Sequence, residues 1–198
     1  MTAGGIVLAG GKSTRMGTSK ALLPFGPETM LQRVVRLLGG VVAPIVVVAA
    51  ADQELPPLPS GTIVTSDERE GRGPLEGLRA GLKALPEPVG AAYVTSCDVP
   101  LLMPGFVVQM LELAQGYDAA VMEIDGFTHP LSAVYRRTTL PVVEDLLAND
   151  RLRPLFLFQA VRTRRIAPAE MTADPDLQTL RNLNTREDYE QALADAGF

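Results

Sequence analysis

Apolar residues along this chain fall in short, largely uninterrupted runs. Gly5–Leu8, Ile45–Ala50, Thr62–Thr65, Ala92–Ser96 and Ala119–Ile124 read this way, as expected for strands buried on both faces of a parallel sheet. Between them the spacing turns helical. Met30, Leu31, Val34, Val35, Leu37 and Leu38 have it, and so do Leu75, Leu78, Leu82 and Leu85, whose helix starts just after Pro74. Ser132–Tyr135 predicts a further strand. Thr185-Arg186-Glu187-Asp188 resembles a capping box opening a last helix to about Ala194. The proline-rich stretches Leu55–Pro59 and Pro86–Pro88 are too short for domain linkers and read as connections. This alternation predicts an α/β fold, a three-layer arrangement around a mainly parallel sheet, formed as one domain over residues 1–198.

Composition narrows the function classes. With 198 residues, 46% hydrophobic and 21% charged, the chain can bury one sizeable core. A net charge of −5 and no basic cluster interleaved with aromatics argue against nucleic acid as a partner. No leader pattern or membrane-spanning apolar run is seen, so a cytoplasmic protein is expected. The single cysteine, Cys97, and the single histidine, His129, can build neither an internal disulfide nor a His/Cys zinc site. Any catalytic metal must then be held by oxygen.

Candidate chemistry concentrates after the first strand. Residues 8–20 read Leu-Ala-Gly-Gly-Lys-Ser-Thr-Arg-Met-Gly-Thr-Ser-Lys, and no acidic residue occurs in positions 1–27. A Walker A loop is excluded because the glycine it needs five residues before Gly11 is Ile6, and G-x-G-x-x-G is absent. Paired glycines permit close backbone approach, Arg15 can fork onto phosphate oxygens, and Lys20 brings a compact charge. Each alone is equally a turn glycine or a solvated cation; their joint spacing favours an anionic ligand such as a nucleoside triphosphate. Asp98 follows the run Ala92–Ser96, which puts a carboxylate at the carboxyl end of a buried strand, where open parallel sheets bind ligands. One such carboxylate suits magnesium, which takes most of its octahedron from phosphate and water. An aspartate starting a turn before Pro100 is the competing use. Cys97 reads as a small buried side chain.

These segments together resemble the molybdenum cofactor guanylyltransferases, within the GT-A-like nucleotidyltransferase superfamily. The likeness is carried by Leu8–Gly17 with Lys20, Gly73-Pro74-Leu75-x-Gly77, Cys97-Asp98-Val99-Pro100, His129-Pro130-Leu131 and Asn182-Leu183-Asn184-Thr185. It implies a Rossmann-like nucleotidyltransferase fold and transfer of GMP from GTP to Mo-molybdopterin with release of pyrophosphate. It further implies Mg2+ on Asp98, catalytic Arg15, Lys20 and Asp98, and nucleotide contacts from Leu8, Ala9, Gly10, Gly11, Lys20, Asp67 and Asp98. His129, Pro130, Asn182 and Asn184 fall on the acceptor side, and molybdoenzymes or their delivery chaperones are implied as downstream partners. The chain departs from the family pattern at Ala49, where guanylyl members can carry asparagine, and at Glu76, usually a small residue. The alternatives are a cytidylyl or sugar-phosphate nucleotidyltransferase and, in another class, a nucleotide-binding module without catalysis.

Overall fold

The computed structural model describes residues 2–10, 19–69 and 71–198. Its centre is a seven-stranded sheet made of β1 (Ala3–Leu8), β4 (Ile45–Ala49), β5 (Ile63–Ser66), β6 (Ala91–Ser96), β7 (Ala119–Ile124), β8 (Phe127–Arg136) and β9 (Thr163–Ile166). β2 (Pro24–Phe25) and β3 (Glu28–Thr29) form a separate small ribbon. Helices α1 (Met30–Gly39), α2 (Pro74–Ala84), α3 (Pro104–Leu113), α4 (Leu140–Ala148), α5 (Pro154–Ala160) and α6 (Arg186–Asp195) complete the regular structure.

The sheet runs in the order β5-β4-β1-β6-β8-β7-β9. β8 alone runs against the rest, pairing antiparallel with both β6 and β7. The predicted Ser132–Tyr135 strand is therefore the second half of a longer one that returns from a hairpin. Continuous apolar runs form because successive side chains enter two different cores. Val7, Val47, Tyr93 and Val134 pack in one cluster with Leu31 and Val34 of α1 and Phe106 and Met110 of α3. Ile6, Val46, Val94 and Ala133 pack in the other with Leu75, Leu78 and Leu82 of α2 and Leu146 of α4.

Helix boundaries have local causes. Thr29 caps α1 reciprocally: its hydroxyl accepts from the Gln32 amide, and its own amide donates to Gln32 Oε1 at 2.9 Å. Thr185 and Asp188 do the same for α6. α2 starts with Pro74 after Gly73, whose φ of 76° lies in the left-handed region that favours glycine. The sequence pattern did not mark α3, α4 and α5, whose first turns hold Pro104, Pro141 and Pro154 and carry no side-chain cap.

α2 lies close enough to β1 that glycine is required in its middle. A Cβ at Gly81 would stand 2.6 Å from Cγ2 of Ile6, a fully buried and β-branched side chain. Gly81→Ala gains about 1 kcal/mol of helix propensity, against an overpacking cost of about 1–3 kcal/mol. The variant is therefore expected to be less stable, which thermal unfolding of the two proteins checks; a rise in Tm would mean that α2 can slide off β1.

Candidate functional site

Reading outward from β1, the sheet adds β4 and β5 on one side and β6, β8, β7 and β9 on the other. The order reverses between β1 and β6, so a crevice opens beyond their carboxyl ends. The two strands stay paired to their last residues, Leu8 opposite Ser96, and the Cys97 amide still donates to the Leu8 carbonyl at 3.1 Å. Asp98 is thereby delivered beside the exit of β1.

Lys20 and Asn184 meet Asp98 there. The Lys20 ammonium donates to Asp98 Oδ2 at 2.8 Å and to Asn184 Oδ1 at 3.0 Å, and the Ser96 hydroxyl donates to Asp98 Oδ1 at 2.5 Å. The charged pair is mostly withdrawn from water, with side-chain exposures of 14% and 17%, so it is less screened than a surface pair. Lys20 opens a short 3-10 turn anchored by Ala21, which is completely buried in the core on the α1 side. Asn184 is brought in by its neighbour. Leu183 is buried with Phe25 and Met30, and its amide donates to the Asp98 carbonyl at 2.9 Å. Arg33 secures the following turn by donating to the Pro100 carbonyl at 2.7 Å while its guanidinium lies over the Phe25 ring.

Other expected residues fall around this centre. Leu8 lines the β1 exit against α2, where a Cβ at Gly77 would lie 3.1 Å from its methyl groups and 3.5 Å from Asp67 Oδ1. The amides of Ala9 and Gly10 both donate to the Val48 carbonyl, at 2.8 and 3.2 Å. Asp67 follows β5, and its Oδ1 is buried without a hydrogen-bond partner among the described residues. Burial pushes its carboxyl above the ordinary aspartate range, and the nearby Glu76 carboxylate pushes it further. Glu76, the unusual residue of the Gly-Pro-Leu-x-Gly segment, is almost wholly buried and held at 2.5 Å by Arg79, which also pairs with Glu68 at 2.9 Å. Cys97 is buried, and its thiol is pushed up to about 12, chiefly by burial, so it is no thiolate nucleophile at neutral pH.

The acceptor-side set is only partly gathered. His129 and Pro130 lie on β8, beyond the last β6–β8 pair (Val94 with Ala133) and therefore at the same end of the sheet as Asp98. His129 sits opposite Met122 of β7, and burial lowers its pKa, favouring the neutral ring. The Pro130 carbonyl accepts from the Tyr135 hydroxyl at 2.9 Å. Asn182 is exposed. Gly11 and Arg15 lie outside the described residues. The sequence did not single out Ser96 and Leu183, whose roles of bonding a carboxylate and anchoring a neighbour have no pattern of their own.

Among the described residues no three His, Cys, Asp or Glu side chains are placed to hold a metal together. The donor set is instead one strand-end carboxylate that already holds a cationic group. It fits an ion taking most of its ligands from phosphate and water, as magnesium does, and not an all-protein cage. No described helix is long and apolar enough to cross a membrane.

Comparison with known proteins places this geometry among others. Residues 5–164 match the MobA-like NTP transferase domain. The chain is 32% identical over 197 residues to a probable molybdenum cofactor guanylyltransferase of Pelotomaculum thermopropionicum, covering 97% of this chain and 92% of that one. It is 37% identical over 201 residues to a probable molybdenum cofactor guanylyltransferase of Mycobacterium avium, covering 99% and 97%. Molybdopterin-guanine dinucleotide biosynthesis protein A from Archaeoglobus fulgidus shares the fold, with a TM-score of 0.80 at 19% identity over 99% of this chain and 98% of that one. So does Rv0371c of Mycobacterium tuberculosis, solved in complex with manganese, with a TM-score of 0.66 at 17% identity over 98% and 99%.

The half-buried Asp67 carboxyl makes stability depend on pH. A folded-state pKa raised above the unfolded one means that stability is lost as pH rises through the folded value. Asp67→Asn removes that loss. The variant is expected to melt higher than the parent at pH 7, with the difference closing below about pH 4, where the carboxyl is protonated in both states. Thermal melts across that range check it, and a pH-independent difference would contradict the assignment.

Proposed function

The chain belongs to the MobA-like NTP transferase family, and we propose that it is a molybdenum cofactor guanylyltransferase, moving GMP from GTP to Mo-molybdopterin with release of pyrophosphate. The observation that carries the reading is the meeting of Lys20, Asp98 and Asn184 at the β1–β6 crevice, on a chain whose relatives are named for this activity. The reaction is assigned to the cytoplasm, its product passing to molybdoenzymes or their delivery chaperones.

In the transfer, a phosphate oxygen of the acceptor attacks the α-phosphorus of GTP. A new P–O bond forms, the α–β bridge breaks, and pyrophosphate leaves with the bridging oxygen. The attacking oxygen is already an anion, so the step needs positioning and charge neutralisation more than a base. Lys20 is suited to this. Among the described residues two of its three N–H donors are engaged, by Asp98 and Asn184, and the third is assigned to a phosphate oxygen. Asn184 is assigned to orienting that ammonium. Asp98 would hold Mg2+, which when bound neutralises charge on the phosphates.

Nucleotide binding is assigned to the strand ends. Leu8 and the β1 exit present an apolar edge, and contacts to the phosphates are assigned to Gly10, Gly11 and Arg15. Because the Ala9 and Gly10 amides already serve Val48, the contribution of these two residues is close approach rather than free donors. Asp67, with its unpartnered oxygen, is assigned to a polar group of the nucleotide. His129, Pro130 and Asn182 are assigned to the acceptor side, the imidazole in its neutral form.

Purified protein incubated with Mg2+, molybdenum-loaded molybdopterin and either GTP or CTP is expected to give a GMP adduct and pyrophosphate from GTP alone, read by mass spectrometry. A CMP adduct would move the protein to cytidylyl transfer, and no adduct alongside an active control enzyme would reject this acceptor. Lys20→Ala is expected to lower single-turnover transfer about 100- to 1,000-fold, the range for loss of one transition-state donor. An unchanged rate would remove Lys20 from the mechanism.

A further inference from the structure

Gln53 stands in the connection after β4, in Ala51-Asp52-Gln53-Glu54, and no pattern marks it. Its carboxamide is nevertheless engaged through its oxygen and both N–H donors at the edge of the crevice. Oε1 accepts from the Ala50 amide at 3.1 Å, and Nε2 donates to the Ala9 carbonyl at 2.9 Å and to the Ser19 hydroxyl at 3.3 Å. One side chain thus joins the exit of β4, the exit of β1 and the residue before Lys20.

We infer that Gln53 is a positioning residue for nucleotide binding, holding Ala9 at the β1 exit and Ser19 beside Lys20 on one nitrogen. The inference rests on the nucleotide site proposed above and adds to it a residue outside the glycine-rich sequence. Ala9 and Ser19 flank residues 10–18, the stretch carrying Lys12 and Arg15, and Ser19 adjoins Lys20. Tying Ser19 to Ala9 and to the exit of β4 sets where Lys20 leaves the backbone, so less of its freedom remains to be lost when a triphosphate binds.

Donation from Gln53 to a base is ruled out by its hydrogen bonds within the protein. A carboxamide has two N–H donors, and both are used within the protein. Gln53 therefore has no N–H left for a base and acts through Ala9 and Lys20, on the part of the ligand that all nucleoside triphosphates share. Its loss should weaken GTP and CTP by the same factor.

The test is isothermal titration of the full chain with Mg·GTP and with Mg·CTP, for wild type, Gln53→Ala, Gln53→Glu, Ser19→Ala and the Ser19→Ala/Gln53→Ala pair, with a thermal melt of each. Gln53→Glu nearly preserves shape but sets a carboxylate oxygen against the Ala9 carbonyl. Gln53→Ala and Gln53→Glu are expected to weaken both nucleotides about tenfold, the scale of one to two lost hydrogen bonds, with Tm close to wild type. Ser19→Ala should cost less, and should add nothing once Gln53 is alanine. Unchanged affinity in the Gln53 variants overturns the inference, as does a change in the GTP-to-CTP ratio, which would mean that Gln53 touches the base. Weakening that merely follows a fall in Tm also overturns it. If wild type binds neither nucleotide, the guanylyltransferase reading itself fails, an outcome distinct from binding that the variants leave intact.

Discussion

Burial of both faces of the central sheet is the constraint on which the rest of the molecule depends. Strands such as β4 and β6, buried at every residue, need a helical layer on each side. α1 and α2 supply opposite layers, and the strand order consequently reverses between β1 and β6. A crevice at that reversal follows from covering both faces.

Charge is placed in the crevice by elements whose own reasons for folding are apolar. Ala21 draws the turn bearing Lys20 into the core, Leu183 seats Asn184, and the β1–β6 pairing carries Asp98 to the rim. The cationic and anionic groups meet there partly dehydrated. Such a pair contributes less to stability than its distance suggests, because desolvation offsets much of the attraction. Its arrangement suits a charged ligand, since each partner can exchange the other for phosphate or a cation.

Asp67 and Glu76 illustrate a cost carried near the same site. Glu76 of α2 and Asp67 after β5 lie close together, one paired with Arg79 and the other with an oxygen that has no partner among the described residues. A small residue at position 76 would spare Asp67 that repulsion, so this chain holds a less comfortable carboxyl at the edge of the crevice. Functional sites often retain local destabilisation of this kind.

The strand runs, α1, α2, the Thr185 cap and the strand-end position of Asp98 were legible in the sequence, because they depend on periodicity and on residues adjacent along the chain. β9 was not, since Thr163-Arg164-Arg165-Ile166 is a polar edge strand held by its pairing with β7; nor was the first half of β8, which forms only as the return limb of a hairpin. In the site, the chemical types of Lys20, Asp98 and Asn184 were readable, and so was the resemblance linking them. That Lys20 bridges the other two, that Leu183 and Ser96 set this geometry, and that Gln53 joins β1, β4 and Ser19 was decided only by tertiary structure. These contacts span long sequence separations, and a side chain's bonding partner across such a distance is set by how the layers pack, which no local pattern encodes.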